Sequence, residues 1–291
     1  MSGVGDAVSV AAEDATHKLA LLAESWTQAA DIYDAELAPR FEPWTRDALF
    51  QLSLYADGLP PGACVVPTCG PGQELPLAAA VVGPGRALIG SDISPGMVKI
   101  ASMRAAAVGQ HCTAIVADAM LPLCDGKLAA ILTVFGLQQL PDPVHAVTTW
   151  CTALEPAGIA VICFWPPGSV ENRGPWQSYS ELVSKRLGSS ERKQSSDSWD
   201  ELLTAAAVSA GAEVLLDTYV QHEMEWPDGE AMWEGMTRGG PWVYTRLRRG
   251  DAFMEEIKRE FLEEFPLGRV VRHSPQARLL VLRKRTSTSA L

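Results

Sequence analysis

Residue types able to do chemistry stand in three short stretches, each directly after an apolar run: Cys69-Gly-Pro-Gly72, Ser91-Asp92 and Ala117-Asp118-Ala119. Gly70 and Gly72 let the backbone bend sharply and let a ligand approach it with no Cβ in the way. Asp92 stands 20 residues after Gly72, where a carboxylate accepts hydrogen bonds from two ribose hydroxyls. Ile93 and Met97 are spaced to pack on a purine face, which a polarizable Met suits. Asp118 is placed to accept from an exocyclic amine. Each has a plain structural role beside the chemical one: Asp92 as a helix N-cap, Met97 as core, Asp118 as a surface turn residue. The spacing Gly70-x-Gly72-x-x-Leu75 lacks the third glycine of the dinucleotide fingerprint, which points away from a nicotinamide cofactor. His17, His111, His145, His222 and His273 supply no base at these positions, and no catalytic residue is assigned.

The elements that must position these residues alternate. Ala63 to Val66 reads as a buried strand ended by Pro67, and Gln73 to Val82 as a helix with Pro76 near its first turn. Strands follow at 86–90, 112–116, 128–134, 159–164 and 212–220, with a final one at 278–283. Helices are predicted from Pro95 to Val108, from Asp142 to Leu154, and from Asp197 to about Gly211. Near-continuous apolar strands alternating with helices predict a doubly wound, mostly parallel seven-stranded α/β sheet covered on both faces. Residues 166–196 read as a long loop, and 224–265 as two helical stretches around Thr237-Arg-Gly-Gly-Pro241. Before the sheet, helical spacing from Glu13 to Leu54 is broken by Pro39 and Pro43. The chain is expected to be one domain, 1–291. Its parts are a mobile arm (1–12), N-terminal cap helices (13–56), a core (57–223), a cap insertion (224–270), and a last strand with tail (271–291).

The 291 residues suffice for a sizeable core, and 47% hydrophobic against 20% charged residues is an ordinary soluble composition. A net charge of −11 disfavours a nucleic-acid partner. The late basic clusters, Arg246, Arg248, Arg249 and Arg283-Lys-Arg285, read as a solvated face and a frayed tail. Six cysteines (64, 69, 112, 124, 151, 163) form no C-x-x-C pair. They read as reduced, partly buried thiols of a cytoplasmic protein, with neither a disulfide frame nor a metal site. No apolar run approaches the length of a membrane span, and no secretory leader is recognised.

In register, the motifs resemble the class I S-adenosylmethionine-dependent methyltransferases, particularly the type-11 group that includes quinone-biosynthesis and small-molecule enzymes. The resemblance covers about Tyr33 to Val220. It rests on Cys69-Gly-Pro-Gly72, Gly90-Ser-Asp-Ile-Ser-Pro-Gly-Met97, Ala117-Asp-Ala-Met-Leu-Pro122, Phe135-Gly-Leu-Gln-Gln-Leu-Pro-Asp-Pro143 and Leu154-Glu-Pro-Ala-Gly158. It implies S-adenosyl-L-methionine as cofactor, held by Tyr33, Thr68, Gly70, Gly72, Asp92, Ile93, Met97, Asp118, Ala119 and Phe135, with Tyr33 closing over it. It also implies a last strand running antiparallel between the fifth and sixth. Val66 and Thr68 stand where the family has an acid and its first glycine. The acid normally helps hold the cofactor's amine, so that role passes to backbone carbonyls or affinity falls. Gln138-Gln139 stands where the family has a histidine pair and removes a histidine able to serve as a base. The Val-Pro-x-Cys-Gly run also resembles thiopurine and thiol methyltransferases.

The expected function is methyl transfer to a small acceptor, a thioether, thiol, amine or oxygen nucleophile, held under a helical cap. In-line displacement from a sulfonium depends mainly on alignment, and an acceptor with its own lone pair needs no strong base. The acceptor is expected against Trp26, Trp233, Arg238, Trp242 and Tyr244. Aromatic faces would attract a cationic product, and Arg238 beside Gly239-Gly240 would grip a carboxylate. Two other readings compete: an NAD(P)-dependent oxidoreductase of the same fold, and a catalytically silent methyltransferase-like partner protein.

Overall fold

The computed structural model describes residues 3–120, 128–167, 174–187 and 198–286, with side chains from residue 17 onward. Leu121, Pro122, Cys124, the loop positions 168–173 and 188–196, the Asp197 cap and the tail beyond 286 lie outside the described residues.

The strands are β1 (Ala63–Pro67), β2 (Leu88–Asp92), β3 (Cys112–Val116), β4 (Leu128–Val134), β5 (Leu154–Phe164), β6 (Ala212–Gln221), β7 (Met224–Trp226), β8 (Val271–His273) and β9 (Gln276–Lys284). Seven of them form one sheet in the order β3-β2-β1-β4-β5-β9-β6. β1 to β5 pair in parallel, and β9 runs antiparallel between β5 and β6. β7 and β8 form a separate ribbon. All of β4, Leu-Ala-Ala-Ile-Leu-Thr-Val, is buried, because helices cover both faces and neither side can be polar.

The helices are α1 (Gly3–Ile32), a π-helical turn (Tyr33–Leu37), α2 (Ala38–Ser53), α3 (Glu74–Val82), α4 (Pro95–Val108), α5 (Pro143–Ala153), α6 (Pro175–Leu187), α7 (Trp199–Ser209), α8 (Gly229–Arg238), α9 (Trp242–Arg249) and α10 (Asp251–Glu264). One face of the sheet packs Trp44, Leu49 and Leu75 from α2 and α3. The other packs Val147 and Trp150 of α5 with Leu203 and Ala207 of α7. α4 joins α2 and α3 on the first face through Ala101 and Ala105, and the remaining helices form the caps. Among the described residues no helix is long and apolar enough to cross a membrane.

Four expectations change. α1 starts at Gly3, so residues 3–12 are helical where no element was expected; Ala7, Ala11 and Ala12 favour this. The break between α1 and α2 is the π turn, closed by Ala38 N–H onto the Tyr33 carbonyl just before Pro39. Pro39 falls in the first turn of α2, where a missing N–H costs little, and Pro43 sits inside that helix. The expected loop contains α6, whose Trp176, Tyr179, Leu182 and Val183 follow helical spacing between flanks of Gly, Ser and charge. The late insertion holds three helices rather than two, with β7 before them.

One contact sets how the caps meet. A Cβ on Gly239 would stand 2.6 Å from Ile32 Cγ2 and 2.9 Å from Tyr33 N. Only glycine lets the end of α8 come this close to the π turn.

Candidate active site

The chain leaves β1 towards β2 and β3 on one side and resumes at β4 on the other, so the loops beyond β1 and β4 diverge and open a cleft. This cleft encloses about 710 Å³ open to solvent and collects Trp26, Tyr33, Thr68, Gly70, Asp92, Ile93, Met97, Asp118, Ala119 and Phe135. Gly72 lies beneath it: at φ +76° it packs against α4, where an added Cβ would meet Ala101 Cβ at 2.9 Å.

Asp92, buried at the end of β2, organises the turn. Its Oδ2 accepts from Gly70 N–H and its Oδ1 from Ser94 N–H, each at 2.9 Å. The N-cap of α4 is Ser94, whose Oγ accepts from Met97 N–H at 3.1 Å, so Asp92 is not the cap. Burial raises the Asp92 carboxyl, opposed by the N–H groups of Ser94, Gly70 and Ile93. Thr68 keeps the left-handed conformation of the glycine it replaces, φ +56°. Its hydroxyl meets that of Thr133 at the end of β4, at 2.9 Å. Asp118 Oδ1 accepts from Met120 N–H at 2.9 Å.

Sequence reasoning missed Gln73 and Glu74. Glu74, in the first turn of α3, is 2% exposed. Its Oε1 accepts from Gln73 Nε2 at 2.8 Å, and its Oε2 has no partner in the protein. Burial pushes this carboxyl up to about 8, against its own backbone N–H and the Arg104 charge. Tyr33, Asp92 and Asp34 share this corner. Burial first, then the charges of Glu74, Asp92 and Asp34, push the Tyr33 phenol up. Arg104 is engaged elsewhere, with Asp34 at 2.8 Å and the Pro71 carbonyl at 2.7 Å. An acidic residue opening a helix reads from sequence as dipole compensation; only the fold shows that it is buried.

Among the described residues lining the cleft are Glu74, Asp92 and Asp118, and no Lys, Arg or His. A pyrophosphate would find no counter-charge, and the Gly70 N–H is already taken by Asp92. A ligand carrying positive charge fits. The orphaned Glu74 Oε2 is a free acceptor at this end of the cleft, where Val66 offers none.

A second chamber of about 580 Å³ adjoins the cleft and shares Trp26, Tyr33, Phe135 and Gln139 with it. Phe41, Trp165, Trp176, Gln138, Met236 and Trp242 also line it. Phe135 stacks on Trp165, with ring centroids 3.8 Å apart. Of the expected acceptor residues, Trp26 and Trp242 line this chamber. Trp233 packs behind Trp242 at 5.7 Å, and Tyr244, half-buried, lines neither space. Arg238 is not brought here. Its side chain is 60% exposed and pairs with Glu234 at 2.6 Å, on an outer groove with Arg246 and Asp251. It ends α8, where a cation complements the helix dipole and a glutamate one turn back holds it. Trp165 directly follows β5, so the strand-end rule that nominated Asp92 also applies to it. Trp176 lies on the unanticipated α6.

Residues 67–162 match the family described as a methyltransferase domain. The demethylmenaquinone methyltransferase of Thermus thermophilus is 33% identical over 95 residues, 32% of this chain and 43% of that one. The match thus spans less than half of that relative's length. A candidate methyltransferase of Bacillus halodurans has a similar fold: TM-score 0.52 at 15% identity, over 82% of this chain and 99% of that one. The [4+2]-cyclase SpnF aligns with a TM-score of 0.49 at 18% identity, over 82% of this chain and 81% of that one. Over residues 67–162 the chain is therefore similar to a methyltransferase domain, in keeping with the resemblance to the class I S-adenosylmethionine-dependent family. S-adenosylmethionine is the cofactor that family implies, and the nicotinamide reading falls away.

Proposed function

We propose that this protein transfers a methyl group from S-adenosylmethionine to a small acceptor held in the aromatic chamber. The observation that carries the reading is the cleft's acidic lining: Glu74, Asp92 and Asp118, with no cation among its described lining residues. S-adenosylmethionine supplies an electrophilic methyl group when bound. Asp92 would accept from the ribose hydroxyls through lone pairs its two backbone bonds leave free, Asp118 would accept from the adenine amine, and Ile93 and Met97 would pack on the base. Glu74 would take the ammonium. Tyr33 and Trp26, which line both spaces, would screen the reacting methyl from water and align the acceptor. The chain is read as one domain, a core at 57–223 with caps at 13–56 and 224–270. Five free, buried cysteines among the described residues suit a reducing compartment such as the cytoplasm.

Calorimetry tests the reading. S-adenosylmethionine and S-adenosylhomocysteine should bind, and NAD(H) and NADP(H) should not. Binding of neither class would favour a silent methyltransferase-like partner, a reading that the departures at Val66 and Thr68 keep in view.

A further inference from the structure

We propose that the acceptor is a flat, uncharged aryl or heteroaryl amine, seated among the chamber's rings with its N–H on Gln138 Oε1. This rests on the methyl-transfer reading above and names its substrate class.

The chamber's chemistry is uniform. Trp26, Phe41, Phe135, Trp165, Trp176 and Trp242 line it with aromatic rings. Among its described lining residues there is no Lys, Arg, His, Asp or Glu. An anionic acceptor would be desolvated with no counter-charge, a penalty that excludes carboxylates and phosphates. Arg238, the cation expected to grip a carboxylate, lines the outer groove instead.

Gln138 supplies the polar hook. Its Nε2 donates to the Phe135 carbonyl at 2.5 Å, which fixes the amide's orientation. Its Oε1 is buried with no partner. A buried acceptor of this kind calls for a donor on the ligand.

An N–H fits better than an O–H. A phenol must shed its proton to become a good nucleophile, and the one titratable side chain in the described lining, Tyr33, is held protonated by burial. An amine arrives with its lone pair. That pair forms the N–C bond as the methyl C–S bond breaks, its electrons going to the sulfonium sulfur. The nitrogen takes the positive charge and then loses its N–H proton to solvent. The surrounding rings stabilise the cation during the interval in which it exists.

The test uses one ring frame with four substituents: 6-aminoquinoline, quinoline, 6-hydroxyquinoline and quinoline-6-carboxylate. Binding to the full chain is followed by tryptophan fluorescence. 6-Aminoquinoline should bind about fivefold more tightly than quinoline, the scale of one hydrogen bond. The carboxylate should bind at least about tenfold more weakly than quinoline. Gln138→Leu should erase the difference between amine and quinoline while leaving the S-adenosylhomocysteine Kd unchanged. Methyl-labelled S-adenosylmethionine should place label on the amine nitrogen. Carboxylate binding equal to the amine's, or an amine advantage that survives Gln138→Leu, would overturn the proposal. Label on 6-hydroxyquinoline, or on neither compound, would overturn the nitrogen assignment. Failure of S-adenosylhomocysteine itself to bind would sink the cofactor reading instead, and the fluorescence series is measured without it.

Discussion

At the scale of single residues the cleft is an arrangement of carboxylates under different restraint. Asp92 is held by two backbone N–H groups. Asp92→Ala should weaken S-adenosylhomocysteine binding by about 2–3 kcal/mol, through lost ribose bonds and a loosened Gly70 turn, measurable by calorimetry. Glu74 is the opposite case, a carboxyl buried with one oxygen unpaired. Its proton is released near 4.5 from the unfolded chain but near 8 from the folded protein. Between those values the folded state binds more protons, so this group lowers stability as pH rises from about 4.5 to about 8 and has no further effect above. Glu74→Gln removes the loss. Thermal melts should show the variant's advantage absent near pH 4, growing through that window, and constant beyond it. A cationic ligand at Glu74 should expel the proton. Calorimetry at pH 7 in buffers of different ionisation enthalpy should detect up to about one proton released as S-adenosylhomocysteine binds. Persistence of that release in Glu74→Gln would remove Glu74 from the site.

At the scale of elements, two local irregularities position the cleft. The π turn at Tyr33–Leu37 carries Tyr33 into both spaces; such turns recur at functional sites. The second is the β1 turn, where Thr68 adopts φ +56°, a conformation that is costly for a β-branched residue. Its side chain occupies the space that a Cβ on Gly136 would need, 1.7 Å from Thr68 Oγ1 and 2.3 Å from its Cβ. Gly136→Ala alone should therefore cost about 3 kcal/mol in urea denaturation. Thr68→Gly in the same chain should recover most of that loss. Additive losses in the double variant would mean that the two loops do not lock each other.

At the scale of the whole molecule, the caps and the sheet meet at Tyr33. α8 reaches it through Gly239, and α1 packs on α4 as well as on α8 and α9. Gly239→Ala would press a methyl group on Ile32 and the Tyr33 backbone. It should destabilise the fold by about 1–3 kcal/mol and loosen 6-aminoquinoline binding more than S-adenosylhomocysteine binding. Equal losses for both ligands would mean that the cap closes over the whole cleft as one piece.

The sequence by itself determined the sheet and the order of its ends. Short apolar runs such as Leu128 to Val134, alternating with helical patterns, read as strands covered on both sides. Asp92 and Asp118, at the ends of such runs, are nominated by position, and the fold brings both to the cleft. Those are local signals, carried by spacing along the chain. What the tertiary structure decided depends on partners far apart in sequence. Burial makes Glu74 an orphan rather than a dipole cap, because Tyr33, Asp92 and Arg104 surround it. α6 appears only when Trp176 and Tyr179 find an apolar face to cover. Arg238 and Trp242 lie four residues apart, yet one ends a helix in solvent and the other begins a helix against the chamber. No pattern of residue types distinguishes those two fates, because helix packing alone sets which side faces the ligand.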